Sequence, residues 1–432
     1  MGTGEIKNRY LVVFGAILIQ LALGNLYAWS VYTPVLIKAG WTKLDTQIVF
    51  TVGLVTFALL MIFAGKKLKE WGPQKLTILG GAVLGAGYIL AGILGANSFW
   101  NLTFSIGLLA GAGIGLAYVV PIAVSIRWFP DKKGLITGLT VAGFGFGALG
   151  WVKFADSWGH LIENLGLSGT FIAYGVVYAV LIFMGARWML FPPADWKPEG
   201  WVEKSMTTAT SRPVKAVEFE SHEMLKTKQF YLLNLTFAFS SGAGLMAIGL
   251  MKLYPVEALQ TNGVDAIKAG AIASTAMAVF FSLANGLGRI IWGWISDKMS
   301  RRMALVLMTL SQGIIVMLFT YMAGHEYLLY LGATLIGFNY GGCFALFPAV
   351  TADFFGAKNV GQNYPYVFLA YGLGGVLGPI LGGLLGDLGN FPLAFTICGV
   401  LVLMGAVMMW VVKAPEKKLP TVVRHKELAF AE

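Results

Sequence analysis

The sequence predicts an all-α membrane protein with twelve transmembrane helices, arranged as two parallel six-helix repeats. Of its 432 residues, 57% are hydrophobic and only 12% are charged, against roughly 25% charged residues in soluble globular proteins. Twelve apolar stretches are long enough to cross a bilayer, which takes about 20 residues each, and the two halves of the chain resemble each other at a fixed offset. The composition alone excludes a soluble enzyme.

The twelve stretches, numbered here span one to span twelve, follow one another along the chain. They cover 10–37, 48–65, 76–95, 101–127, 134–157, 169–191, 230–256, 267–296, 303–323, 327–352, 362–385 and 392–413. The first is too long for a cleavable signal peptide and lacks a cleavage site, so we interpret it as span one. We expect two bundles, 1–191 and 229–413, joined by a cytoplasmic loop over 192–228 and followed by a cytoplasmic tail over 414–432.

The positive charge of the chain lies on one side of the predicted bundles. Placing both termini in the cytoplasm puts 25 of the 31 Lys and Arg on that side, in accord with the positive-inside rule. The exceptions are Lys38, Lys43, Lys153, Lys252 and Lys268 outside, and Arg289 within span eight. Loops at the membrane surface thereby explain the net charge of +10 without nucleic acid. We expect a multi-pass protein of the cell inner membrane.

An offset of 228 residues superimposes the two halves at three separate places. Ala142–Gly150 (AGFGFGALG) falls over Ala370–Gly378 (AYGLGGVLG). Two glycine pairs share this offset, Gly65 with Gly293 after spans two and eight, and Gly113 with Gly341 in spans four and ten. Six spans per half make the repeats parallel, which places a substrate site near the midplane between the halves.

Arg289 is the charged residue deep within a predicted span, in Asn285–Trp292 (NGLGRIIW). Arginine stays protonated, and a cation near the bilayer centre costs at least about 2.5–3.5 kcal/mol. No Asp or Glu lies at a comparable depth in any span; Asp156, Glu257 and Asp353 lie near span ends. A buried cation without a counter-ion predicts an anionic substrate, and a carboxylate suits the planar guanidinium. The alternatives are that Arg289 snorkels to the surface or binds backbone carbonyls in a structural role.

Asn285 lies four residues before Arg289, so both project from one helix face. The offset places Met61 opposite Arg289, so the cation breaks the repeat, as we expect of a functional residue. Asn285 is a candidate for hydrogen bonding to the substrate. An interhelical polar contact is an equally good interpretation.

No cofactor and no metal site are predicted. Cys343 and Cys398 lie in apolar runs, which excludes a disulfide framework and a cysteine metal site. The four histidines fall in loops or near span ends, and the glycine-rich stretches lack the context of a phosphate loop. An intramembrane enzyme is disfavoured because no nucleophile, base and metal ligands cluster, and a channel is disfavoured by the repeat and the single buried charge.

Several motifs resemble a known family. Gly293–Lys298 (GWISDK) followed by Arg301-Arg302 is similar to the G-x-x-x-D…R-R loop of the major facilitator superfamily. Three stretches are similar to its oxalate:formate antiporter family, the bacterial relatives of monocarboxylate (lactate) transporters: Arg127–Gly134 (RWFPDKKG), Glu223–Tyr231 (EMLKTKQFY) and Leu26–Tyr32 (LYAWSVY). The resemblance covers nearly the whole chain and implies the major facilitator fold.

The resemblance also implies gating loops after spans two and eight. The gating residues would be Gly65, Gly72, Gly293, Asp297 and Arg301. The first-half loop departs from the family pattern, because Lys69 stands where an Asp is expected and Glu70 is the candidate substitute.

The resemblance further bears on the substrate. Family members that exchange dicarboxylates carry a Lys in span eleven, at the position of Tyr371 in this chain. The site would therefore hold one cation, Arg289, rather than two, which argues for one carboxylate per substrate. Relatives that resemble the eukaryotic carriers have an Asp at the position of Asn285. Asn285 cannot carry a proton, so the proton-relay Asp is absent from this site. An aromatic box around Arg289 would comprise Tyr27, Tyr118, Tyr340, Phe344, Phe368 and Tyr371. Each of these aromatics alone is more typical of packing than of a binding site.

We therefore expect a monomer that carries a small monocarboxylate, lactate-like acids first, together with protons. Its halves would rock around the Arg289 site, as in other secondary transporters built from repeats. Exchange of one anion for another is the alternative. A membrane carboxylate sensor without transport is an alternative of another class, although the loop and the tail are too short for a signalling domain.

Overall fold

The computed structural model describes residues 8–155, 158–193, 196–198, 218–250 and 253–415. Within these ranges, twelve helices are long and apolar enough to cross a membrane: Tyr10–Trp29, Ile48–Trp71, Pro73–Ile93, Phe99–Trp128, Lys133–Ala155, Leu161–Ala186, Lys228–Leu250, Ala266–Lys298, Arg301–Met322, Glu326–Phe355, Val360–Gly386 and Phe391–Val411. The predicted fold class is confirmed. Asp156, Lys252, the middle of the predicted inter-bundle loop and most of the predicted tail lie outside the described residues.

The turn between spans two and three shows how local chemistry sets the span ends. The helix that contains span two, Lys43–Trp71, begins with a capping box in which Thr42 and Asp45 satisfy each other's backbone N–H groups. It ends at Gly72, whose φ of 77° suits a residue without a side chain. Span three begins directly afterwards with a proline at its first position, where the missing N–H costs nothing.

Span one differs from the continuous helix predicted over 10–37. Its α-helix ends at Leu23, a tighter 3-10 segment covers Gly24–Val31, and a short α-helix follows over Thr33–Lys38. Asn25 is part of the reason, because its Nδ2 donates to the Ala22 carbonyl oxygen at 2.6 Å, and an Asn side chain that bonds the backbone competes with regular helix. Tyr27 lies in the tighter segment.

Span seven is also shorter than predicted. Its helix ends at Leu250, and a separate short helix follows over Tyr254–Thr261 with Pro255 in its first turn. Proline favours a helix start and disrupts a helix interior. Another short helix, Ser221–Met224, precedes span seven.

The two halves meet in a repeated arrangement. Spans three and nine begin at Pro73 and Arg301, 228 residues apart. Span two approaches span eleven where Gly65 faces Gly361, and span eight approaches span five where Gly293 faces Gly134. A Cβ on Gly65 or Gly293 would collide with the facing backbone carbonyl. Small residues therefore allow the same close crossing on both sides of the interface.

Candidate substrate site

Span eight carries Arg289 to the place where the halves meet. The residue is 1% exposed and lies in the α-helical part of the span, Ser282–Lys298. Gly288 makes room for the Phe338 carbonyl of span ten, and Gly138 of span five lies against the Arg289 carbonyl. Because a Cβ at either glycine would collide with backbone, Arg289 is held closely between spans five and ten.

The guanidinium of Arg289 has neutral partners. Its Nε donates to Asn285 Oδ1 at 3.1 Å, and its Nη1 donates to the Val141 carbonyl oxygen of span five at 2.8 Å. The Cζ atom lies 4.5 Å from the centroid of the Phe344 ring. Its Nη2 is buried without a hydrogen-bond partner, and no carboxylate of the described residues forms an ion pair with Arg289.

This arrangement leaves a positive charge that is oriented but not neutralised. A buried cation needs an opposite charge or a full set of acceptors to offset its loss of hydration. Asn285, the Val141 carbonyl and the Phe344 ring supply only part of this. A carboxylate could bind Nη2 through a charge-assisted hydrogen bond, and the amide hydrogens of Asn285 could donate to the same group.

The aromatic residues named from the sequence form one connected cluster. Starting from Phe344 beside Arg289, ring centroids lie 5.3 Å from Tyr340 and 5.5 Å from Tyr371. Phe368 stacks on Tyr371 at 5.1 Å, and Tyr118 lies 5.4 Å from Phe368. All of these residues are buried. Their part in substrate binding stays a prediction.

Three contacts of the cluster were not predicted. Phe144 of span five joins Tyr27, at 5.0 Å, to Tyr118, at 5.7 Å. Phe57 of span two lies between Tyr118 and Phe368. The third is the Val141 carbonyl, which is a backbone group and has no signature in the sequence. Phe144 stands in the repeated glycine-rich motif of span five, which was the available signal.

A hydrogen bond between two tyrosines joins the halves at the site. The hydroxyls of Tyr27 in span one and Tyr371 in span eleven are 2.7 Å apart. Tyr371 is 5% exposed. Since the two residues belong to different bundles, any rocking of the halves that separates spans one and eleven has to break this bond.

We predict that Tyr27 and Tyr371 are energetically coupled. Tyr27→Phe and Tyr371→Phe should each lower the unfolding free energy of the purified protein, and the double variant should lose less than their sum, by about 0.5–1.5 kcal/mol. Tyr254→Phe is a matched control, because the Tyr254 hydroxyl bonds the Thr320 carbonyl within the second half. It should be additive with Tyr27→Phe. Additivity of the Tyr27 and Tyr371 variants would contradict the bond.

A network of charged side chains joins the two halves at one face of the molecule. We call this the basic face; it carries the loops after spans two, four, six, eight and ten. Asp297 accepts from the backbone N–H groups of Gly134, at 2.9 Å, and Leu135, at 2.7 Å. Arg301 lies 2.7 Å from Asp297 and 2.8 Å from Asp353. A carboxylate of the second half thereby caps the first turn of span five.

The first-half copy of this loop is built differently. Gly65 lies within the span-two helix rather than in a loop, as Gly293 does within span eight, and Gly72 forms the turn to span three. Glu70 pairs with Lys67 of its own helix at 2.6 Å and is largely exposed. The predicted substitute for the missing Asp therefore makes a local pair on its own helix.

Two parallel repeats of six spans, which meet around a buried cation and a charged loop network, are typical of membrane transporters. The chain matches the family model of the Major Facilitator Superfamily over residues 12–281 and 254–431. It belongs to this superfamily, which comprises transporters and not enzymes.

Individual relatives agree with the resemblance predicted from the sequence. The chain is 27% identical to the oxalate:formate antiporter of Oxalobacter formigenes over 404 residues, which cover 92% of this chain and 90% of the antiporter. It is 24% identical to monocarboxylate transporter 13 of Rattus norvegicus, over 78% of this chain and 72% of that protein. The predicted resemblance is confirmed.

The fold also matches a solved structure. The E. coli fucose:proton symporter FucP superimposes with a TM-score of 0.68 at 12% identity, over 93% of this chain and 98% of the symporter. At this level of identity the similarity shows the fold alone.

Proposed function

We propose that this chain is a secondary active transporter of small monocarboxylates, with lactate-like acids as the first candidates. The observation that carries the proposal is the buried guanidinium of Arg289, which lies between the halves with neutral partners and an unpaired Nη2. An anion of matching shape is the missing partner. The printed names of two relatives, an oxalate:formate antiporter and a monocarboxylate transporter, support this class of substrate.

The cluster favours one carboxylate per substrate. Arg289 is the only cation among the residues that form it in the described part of the chain. The remaining side chains are aromatic or neutral, with hydroxyls at Tyr27, Tyr118, Tyr340 and Tyr371. An acid with a short apolar tail and one hydroxyl or keto group fits these surroundings, whereas a second carboxylate would lack a cation.

Substrate binding would act on a bond between the halves. Arg289 Nη1 donates to Val141 of the opposite half, and a carboxylate that engages Nη1 and Nη2 together would compete with this carbonyl. Bidentate pairing is the favoured geometry of guanidinium and carboxylate. The ligand would then shift the balance between the two access states through its different affinity for each.

Proton symport is the proposed coupling, with anion exchange as the second candidate. Asn285 cannot carry a proton, and Asp353 is paired with Lys133 and Arg301, so a proton that enters with the acid is the simplest route. Similarity to the oxalate:formate antiporter favours exchange. We place the basic face in the cytoplasm because it carries most of the lysines and arginines.

Reconstitution into liposomes tests the substrate class. We expect uptake of labelled lactate that unlabelled lactate and pyruvate compete away strongly, formate and acetate weakly, and oxalate least. Liposomes with an equal amount of Arg289→Ala protein provide the blank. Absence of flux of any of these acids, despite binding, would favour a sensor over a transporter.

The coupling needs a separate measurement. Symport predicts net uptake into empty liposomes that increases when the outside is made acidic. Exchange predicts uptake only into liposomes preloaded with a carboxylate, at a rate that does not depend on the proton gradient. Counterflow that persists without a gradient, together with no net uptake, would reject symport.

A further inference from the structure

The segment Glu218–Ser221, which we call the latch segment, lies against the start of span eleven. The Phe219 N–H donates to the Phe355 carbonyl oxygen at 3.0 Å. The Phe219 carbonyl in turn accepts from the side-chain amides of Asn359, at 2.8 Å, and Asn363, at 3.0 Å. The end of the loop between the bundles is therefore bonded to the turn between spans ten and eleven.

Glu218 brings a carboxylate to this turn. Its Oε1 accepts from the backbone N–H of Lys358 at 3.0 Å. Arg127, at the end of span four, donates to the Lys358 carbonyl and stacks on the Phe191 ring at 3.7 Å. The pKa of the Glu218 carboxyl is raised above its usual value, because burial outweighs the opposing effect of the Lys358 N–H and of the charge of Arg127.

The arrangement parallels the network around Asp297. There a carboxylate accepts two backbone N–H groups at the start of span five and pairs with Arg301. At the start of span eleven, which the internal repeat matches to span five, Glu218 accepts the backbone N–H of Lys358 and lies near Arg127. The internal repeat matches Asp297 to Lys69, so the first-half loop has no carboxylate at this position. The neighbouring Glu70 is paired with Lys67.

We propose that Glu218 replaces the carboxylate missing from the first-half loop. Together with Arg127 of the first bundle, it holds the turn before span eleven and favours the conformation in which the basic face is closed. Glu218 is then a positioning residue for the rocking of the halves and has no contact with substrate. The latch belongs to neither gating motif and uses the loop that connects the bundles.

Distances between spin labels test this proposal without substrate, so the result does not depend on the proposed function. Labels on cysteines introduced at the exposed positions Lys66 and Lys226 report the separation of the bundles at the basic face. Glu218→Gln should raise the ratio of open to closed molecules roughly tenfold, since it removes the negative charge that accepts the Lys358 N–H and attracts Arg127. Asp297→Asn, with labels at Lys132 and Lys298, serves as the reference, because it removes the matching carboxylate of the second-half loop and should shift the molecules towards the open state in the same direction.

Two further variants make the outcome decisive. Glu70→Gln removes the acidic residue that the sequence offered as the substitute, and it should leave the distances unchanged. Lys69→Asp, which restores the family residue, should return the Glu218→Gln protein towards the closed state. Unchanged distances in Glu218→Gln, an equal shift in Glu70→Gln, or an open population that Lys69→Asp does not reduce would each overturn the proposal. Equal melting temperatures show that the variants are folded.

Discussion

Arg289→Ala should lower carboxylate uptake by roughly a hundredfold or more, while the protein still inserts into the membrane. The charge-assisted hydrogen bonds of a guanidinium are worth about 1.5–3 kcal/mol each, and two of them lost to one carboxylate correspond to at least about a hundredfold in affinity. Arg289 is the only cation among the residues of the cluster that the structure describes, so no neighbour can replace it. Uptake of labelled lactate into proteoliposomes measures the loss.

The controls separate the missing charge from general damage. Arg187→Ala removes an exposed arginine after span six and should leave uptake unchanged. Arg289→Lys keeps the charge but loses the planar fork, and it should retain only weak uptake. The Arg289→Ala protein should fold, because the substitution removes a buried charge that has no counter-ion. Normal uptake by Arg289→Ala would reject the site.

Most of the fold could be predicted from the sequence because membrane spans have a strong compositional signal. Apolar length identifies each span, and the repeat relates the halves. Span one shows the limit of this reasoning. Hydropathy records that residues 10–37 are apolar, but it does not record that Asn25 bonds the Ala22 carbonyl and that the helix tightens after Leu23.

The candidate site was predictable where a single residue carries the signal. A buried arginine stands out in any apolar span, and Asn285 follows from helix geometry. The pairing of Arg289 with Val141 was not predictable, because the acceptor is a backbone carbonyl. The bond between Tyr27 and Tyr371 joins residues 344 positions apart, and no local pattern in one sequence indicates such a contact.

The latch segment illustrates a third situation. The sequence showed that the first-half loop lacks its Asp, and it offered Glu70 because Glu70 is adjacent to Lys69. Proximity in the chain was a poor guide here, since Glu70 lies on its own helix beside Lys67. The carboxylate at the start of span eleven comes instead from Glu218, which is far from that loop in sequence and close to span eleven in space.

Tyr371→Lys should extend the substrate range towards dicarboxylates such as oxalate. Tyr371 is buried, lies 5.5 Å from the Phe344 ring and thus shares a neighbour with Arg289. A lysine there would place a second cation in the cluster, and a second carboxylate gains an opposite charge in a site of low dielectric constant. Competition of lactate uptake by oxalate should become at least about tenfold more effective, equivalent to about 1.4 kcal/mol.

Two comparisons assign this effect to charge. Tyr371→Gln introduces a polar side chain without a charge. It removes the hydroxyl that bonds Tyr27, but it should leave oxalate a poor competitor. Tyr371→Phe should behave likewise, because it removes only the hydroxyl. The lysine also adds repulsion with Arg289 when no substrate is bound, so the unliganded Tyr371→Lys protein should melt at a lower temperature and recover stability with oxalate. Equal competition by oxalate in all three variants would show that Tyr371 does not line the substrate site.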